Sequence, residues 1–166
     1  ENKYLYYKNL YHIGVVKSYL GYYKEALEIF EKCSVFFRNP KAIPEPPNVG
    51  FNRKKGYLNT LHQQAVCLLH LNRNPEAEDL ADTGLSKVGA ESDFYLERSN
   101  FYKVKGITAY RKKQDTLALR LLSIALAGFE KKNDFTNATV AYYYKGKSEH
   151  RLRNSENAVH QFIKVD

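Results

Sequence analysis

Histidine and cysteine are the side chains that could bring metal or nucleophilic chemistry to this chain, and none of them falls at a spacing that does so. His12, His62, His70, His150 and His160 form no HExxH pair, and no cysteine or carboxylate stands at ligand spacing from any of them. His62 and His70 lie about two helical turns apart on roughly one face, too far to share one ion without bending. Cys33 and Cys67 belong to no CxxC pair. Small buried thiols on helices are the favoured reading of them, with a disulfide between the two as the alternative. A glycine-rich phosphate loop and a GxSxG elbow are both missing from the sequence. The expectation is therefore no enzyme, no metal and no cofactor.

What remains is the chemistry of contact. The chain carries 26 basic and 18 acidic residues, a net charge of +8, and 14 tyrosines. That balance favours acidic partners, whether peptide, nucleic acid or anionic surface, with a well-solvated helical surface as the equal alternative. The basic residues come in short groups: Arg53-Lys54-Lys55, Arg111-Lys112-Lys113, Lys131-Lys132 and Arg151-Leu152-Arg153. None is long enough to act as a nucleic-acid tail. Tyr142, Tyr143 and Tyr144 must point to three faces of a helix, so they divide between core and surface. No apolar run approaches the ~18 residues of a membrane span, and the opening residues Glu1 to Lys8 do not read as a signal peptide. With no methionine, and an end at Val165-Asp166 in mid-pattern, the chain reads as a segment of a longer protein. Its compartment is left open, the cytoplasm being favoured.

The elements that position these groups repeat. Small residues recur at Gly14, Ala65, Gly106 and Gly146, and twelve residues after each comes an alanine: Ala26, Ala77, Ala118 and Ala158. Four residues further on stand Phe30, Ala81, Leu122 and Phe162. A small residue on one helix lets the alanine of the next approach, while the residue one turn later fills the space beside it. Such a helix pair cannot bury its apolar face alone, so neighbours stack. First helices are predicted at 3–20, 52–71, 93–113 and 134–152, and second helices at 23–38, 75–88, 115–131 and 155–166. Asn74, Asp115 and Ser155 are placed as cap formers, with Pro75 at the first helical position. The alanines are 51, 41 and 40 residues apart. The long first interval is assigned to the proline-rich segment 39–50, which is predicted to be non-helical, as an inserted surface loop or a flap over a groove.

These residues resemble the tetratricopeptide repeat. The first repeat matches best, through Leu10, Ile13-Gly14, Gly21, Tyr23, Ala26, Phe30 and Cys33. The third supplies Tyr102, Gly106, Ala109, Ala118, Leu122 and Ala125, and the fourth Tyr142, Gly146, Leu152, Ala158 and Phe162. The second is weakest, with Leu61, Ala65, Leu68, Leu71, Ala77, Ala81 and Gly84. The resemblance covers nearly the whole chain and implies an all-α superhelical solenoid, a single array of four repeats over 3–38, 52–88, 93–131 and 134–166. A period of about 40 rather than 34, and the missing closing proline, look like the arrays of bacterial regulatory proteins.

The resemblance also implies a groove lined by four positions of each first helix. Carried over, these are Lys8, Tyr11, Val15 and Ser18; Asn59, His62, Val66 and Leu69; Asn100, Lys103, Ile107 and Tyr110; and Val140, Tyr143, Lys147 and His150. Packing against neighbouring helices is the alternative for each. Tyrosine, aliphatic, amide and basic groups together suit an extended or helical peptide with some negative charge. The family's chaperone-tail clamp is not expected, because its positions hold Tyr11, Val15, Gln63, Asn100 and Val104. The expected function is a protein- or peptide-binding scaffold or sensor module of a larger regulatory protein, with a homodimer also open. The alternatives are a nucleic-acid-associated helical repeat and the control half of a response-regulator phosphatase.

Overall fold

The computed structural model describes residues 2–41, 49–90, 92–152 and 155–165, and every regular element among them is helical. The fold class is all-α, a helical repeat of the solenoid kind built from consecutive helix–turn–helix pairs. In order these are α1 (Lys3–Tyr19) with α2 (Tyr23–Arg38), α3 (Val49–His70) with α4 (Asn74–Val88), α5 (Tyr95–Arg111) with α6 (Asp115–Lys131), and α7 (Phe135–Arg151) with α8 (Ser155–Ile163). A single 3₁₀ turn, Ser92–Phe94, leads into α5. Two compact units, Glu1–Lys87 and Val88–Asp166, hold two repeats each. In the first, α2 packs against both α1 and α3; in the second, α6 packs against both α5 and α7.

The spacing of small and large residues is met in atomic detail. A Cβ on Gly14 would lie 2.8 Å from the Phe30 ring, one on Gly106 2.6 Å from Leu122 Cγ, and one on Gly146 3.2 Å from the Phe162 ring. Where the residue four past the alanine is large, glycine on the preceding helix leaves room for it, most tightly at Gly106 and Gly14. Repeat two places the smaller Ala81 there and tolerates Ala65, both fully buried.

The turns repeat as well. Gly21, Asn72 and Lys113 occupy one repeat position and share a left-handed backbone, at φ 84°, 59° and 61°. At each, the next residue's N–H reaches five residues back: Tyr22 to Lys17 O, Arg73 to Leu68 O and Gln114 to Ala109 O, all at 2.9 Å. This is the double-bonded helix stop that satisfies orphaned carbonyls.

Two local expectations change. The proline-rich segment was expected to be non-helical through 50, yet α3 already begins at Val49; residues 42–48 lie outside the described residues. Asn74 is already the first residue of α4, with Pro75 second, and Asp115 likewise is not the cap of α6. Gln114 takes that place without a side-chain bond, and Asp115, as the first helical residue, receives Arg151 from α7 at 2.5 Å. Side-chain caps form instead at Asn2, which accepts from Leu5 N–H, and at Asp134, which accepts from Asn137 N–H. Both cysteines are free and buried; Cys33 lies 3.7 Å from Tyr7 O, and burial pushes its thiol up to about 11.

Candidate functional site

Within the first unit, α1 and α3 border a cavity of about 250 Å³. Helical periodicity selects what reaches it. Residues 4, 8, 11 and 12 share one face of α1, and residues 52, 55, 56 and 59 share one face of α3. Its walls are aromatic, from Tyr4, Tyr11 and Phe37, and its basic groups are Lys8, His12 and Lys55. Asn52 and Asn59 supply amides, and Gly56 completes the lining.

Neighbouring contacts hold these groups in place. Tyr4 meets Phe37 edge-on at 6.2 Å, Tyr7 stacks on Phe36 at 4.1 Å, and Tyr11 tilts against Phe30 at 5.6 Å. A Cβ on Gly56 would lie 3.2 Å from the Phe37 ring, so glycine here lets the ring seat close against α3. Arg53 of α3 donates from Nη1 to Phe37 O at 2.9 Å and to Arg38 O at 3.4 Å, fastening α3 to the last turn of α2. Burial raises the Tyr11 phenol to about 12, although a hydrogen bond with Gln63 works the other way. The ring is thus a neutral donor at ordinary pH.

The electrostatics are one-sided. Among the described residues no carboxylate lines the cavity, and neither α1 nor α3 contains an aspartate or glutamate anywhere along its length. Among the described residues the acids of this unit sit on the second helices, with Glu25, Glu28 and Glu31 on α2 and Glu76, Glu78, Asp79 and Asp82 on α4; Glu1 and Glu45 lie outside the described residues. Lys17, at the far end of α1, is paired with Glu25. By contrast Lys8, His12, Asn52 and Asn59 make no hydrogen bond or ion pair among the described residues. Four polar side chains thus meet at one cavity with their hydrogen-bonding capacity unspent.

Of the positions expected to line a groove, the structure brings Lys8, Tyr11 and Asn59 together here. Val15, Ser18 and Val66 are half-buried, Ser18 meeting Cys67 at 3.9 Å. His62 and Leu69 are buried, and so are Asn100, Lys103 and Ile107 in the second unit. These five do not present an open surface. Lys103, 5% exposed, donates from Nζ to Asn137 Oδ1, and Asn137 in turn donates to Asp134 at 2.8 Å. Burial pushes the Lys103 ammonium down to about 8, against the pull of Asp134.

The remaining second-unit positions form a smaller cluster. Lys147 donates to Tyr143 Oη at 2.9 Å and stands over the Tyr143 ring at 4.8 Å and the Tyr110 ring at 5.9 Å. The Arg151 guanidinium covers the other approach to Tyr110 at 3.8 Å. Val140 and His150 are exposed. The cations of this cluster are therefore engaged within the protein, unlike Lys8. Tyr142 is buried, Tyr143 exposed and Tyr144 half-buried, dividing the three faces as their succession required.

Sequence reasoning missed Tyr4, His12, Phe37, Asn52, Lys55 and Gly56. The signal that finds most of them is the absence of acid from 3–19 and 49–70, read together with the spacing of polar and aromatic residues on one face of each helix. His62 is buried, while His70 lies flat on Tyr23, 4.1 Å away at 3°. No protein-family model matches the chain, and none of the curated proteins does.

Proposed function

We propose that this chain is a protein- or peptide-binding module, a tetratricopeptide-like scaffold or sensor segment of a larger regulatory protein, and that the α1–α3 face receives an acidic peptide. The observation that carries this reading is the acid-free pair of helices around a cavity whose Lys8, His12, Asn52 and Asn59 side chains make no hydrogen bond or ion pair among the described residues. Groups carried on two packed helices lose little freedom on binding, so their contacts translate into affinity with small ordering losses. The cavity is below the ~300–1,000 Å³ of drug-sized ligand sites, which suits one peptide side chain rather than a cofactor. The rest of an extended peptide would run along the exposed parts of α1 and α3, with lysines steering its approach.

The test is fluorescence anisotropy with labelled acidic and basic peptides of equal length. Acidic peptides are expected to bind, and the double reversal Lys8→Glu/Lys55→Glu to weaken them by about tenfold or more. Unchanged affinity in that variant, with helicity preserved, refutes the assignment.

A further inference from the structure

We infer that the solvent side of α1 is a second docking surface, which seats one amphipathic helix of a partner protein, antiparallel to α1, with a small residue opposite Leu5 and acids beside its apolar stripe. Leu5, Tyr6, Ile13 and Val16, with Leu20 at the end of the helix, are each at least 50% exposed. None of the five lines the cavity, so this surface goes beyond the acidic-peptide reading. Helical geometry gathers them into an arc of about 100° running the length of α1. A continuous apolar stripe marks an interaction surface, whereas exposed side chains scattered singly do not.

The repeat defines the kind of partner that fits. Aligned on Gly14, Ala65 and Gly146, Asn9 and Val16 correspond to Thr60 and Cys67 on α3 and to Ala141 and Ser148 on α7. Those four are fully buried, and the helices that carry them pack against α2 and α6 respectively. Three contacts describe the seating on α3. His70 stacks on Tyr23 at the start of α2, 4.1 Å away, Gln64 donates to Ser34 at 3.1 Å, and Gly56 leaves room for Phe37 near the end of α2. The two helices therefore run antiparallel.

On α1 the same three places hold Tyr19, Ile13 and Leu5. Tyr19 is exposed and offers its ring to an aromatic residue at the start of an incoming helix. Ile13, standing where α3 has Gln64, asks for an aliphatic residue where α2 has Ser34. Leu5, standing where α3 has Gly56, fills the space that Phe37 takes, so the incoming helix must be small there.

Charge separates a partner from a second copy. α1 contains Lys3, Lys8 and Lys17 and no acid. Lys17 is paired with Glu25, while Lys3 and Lys8 have no ion pair among the described residues. Pairing α1 with the α1 of a second copy would set two lysine-bearing helices together with no carboxylate on either. A helix with acids beside its stripe is attracted instead.

The experiment is an NMR titration of the methyl-labelled 166-residue chain with a synthetic peptide copied from residues 22–39 and carrying Ser34→Leu/Phe37→Ala. It is expected to shift the Leu5, Ile13, Val16 and Leu20 methyls, and to saturate at about tenfold lower concentration than the unaltered 22–39 peptide. In Leu5→Gly that preference should reverse, and in Leu5→Ala, which keeps helix propensity, it should narrow. Ile13→Gln/Val16→Gln should remove the response with helicity preserved. Silence at those methyls, equal saturation by both peptides, or an unaltered preference in both Leu5 variants overturns the inference. A peptide with Glu28→Lys/Glu31→Lys that binds as well overturns its acidic partner. Sedimentation of the chain alone as a dimer, lost in Ile13→Gln/Val16→Gln, gives the face to a second copy and overturns the partner helix. The acidic-peptide reading stands or falls separately, on anisotropy in Lys8→Glu/Lys55→Glu.

Discussion

Lys103 illustrates how one side chain can sit at a binding position and do something else. Its ammonium is enclosed between α5 and α7 and held by Asn137, with Asp134 behind. Its pKa in the folded protein, about 8, lies below its ordinary 10.5. Between those two values the unfolded chain binds more protons than the folded one, so this group makes folding more favourable as pH rises. Its desolvation penalty is fully present below pH 8. Cys33 and Tyr11 act oppositely, because burial raises them to about 11 and about 12, and their contribution falls as pH climbs from 9 upward. The clean readout is therefore the difference between wild type and Lys103→Met in urea denaturation, where the other two cancel. Wild type should gain on the variant from pH 8 to pH 10; a flat difference would mean that the lysine is neutral or well solvated throughout.

At the scale of helices, the repeat makes quantitative claims about pairs. Gly106→Ala should cost about 1–3 kcal/mol by pressing its Cβ into Leu122. In a Leu122→Ala background, which recreates the Ala65–Ala81 pair of repeat two, the same change should cost nothing, or gain up to about 1 kcal/mol from alanine's helix propensity. A double-mutant cycle in urea measures this, and additive effects would refute the packing account. The turns make a second claim. Lys113 holds the left-handed position that Gly21 fills without strain, so Lys113→Gly should stabilise by about 0.5–1 kcal/mol and Gly21→Ala should destabilise by about 1 kcal/mol. Thermal midpoints moving the opposite way would show that the side chains, not the backbone, decide.

Much of this architecture was readable beforehand, because close helix packing demands small residues at fixed intervals, and those survive as a pattern in the sequence. The cavity was less readable. Lys8, Tyr11 and Asn59 fell on the expected groove positions, but Tyr4, Asn52 and Lys55 lie a turn nearer the start of each helix, and Phe37 comes from the helix behind. His62, Asn100 and Lys103 were misplaced because a polar residue on a helix face looks the same in sequence whether it meets solvent or a neighbouring helix.

For the molecule as a whole, the net charge of +8 conceals an asymmetry in the first unit, where α1 and α3 carry cations and no acid, while α2 and α4 carry both signs. That asymmetry limits how salt can act. A peptide held by two lysines should lose only a few-fold to roughly tenfold in affinity between 50 and 200 mM salt, against the about 10³–10⁵ expected from 6–10 phosphate contacts. A loss of the larger size in anisotropy titrations would point to an extended polyanion rather than one anchored side chain.

Arg53 gives the first interval between repeats its freedom. By donating to the last carbonyls of α2 from the first turns of α3, it joins the two helices directly, so the chain between them need not act as the spacer. Extra residues there cost only loop-closure entropy, about 0.6 kcal/mol for each doubling of length. An inserted epitope tag, or even a small domain with neighbouring ends, should leave the seating of Phe37 against Gly56 unchanged.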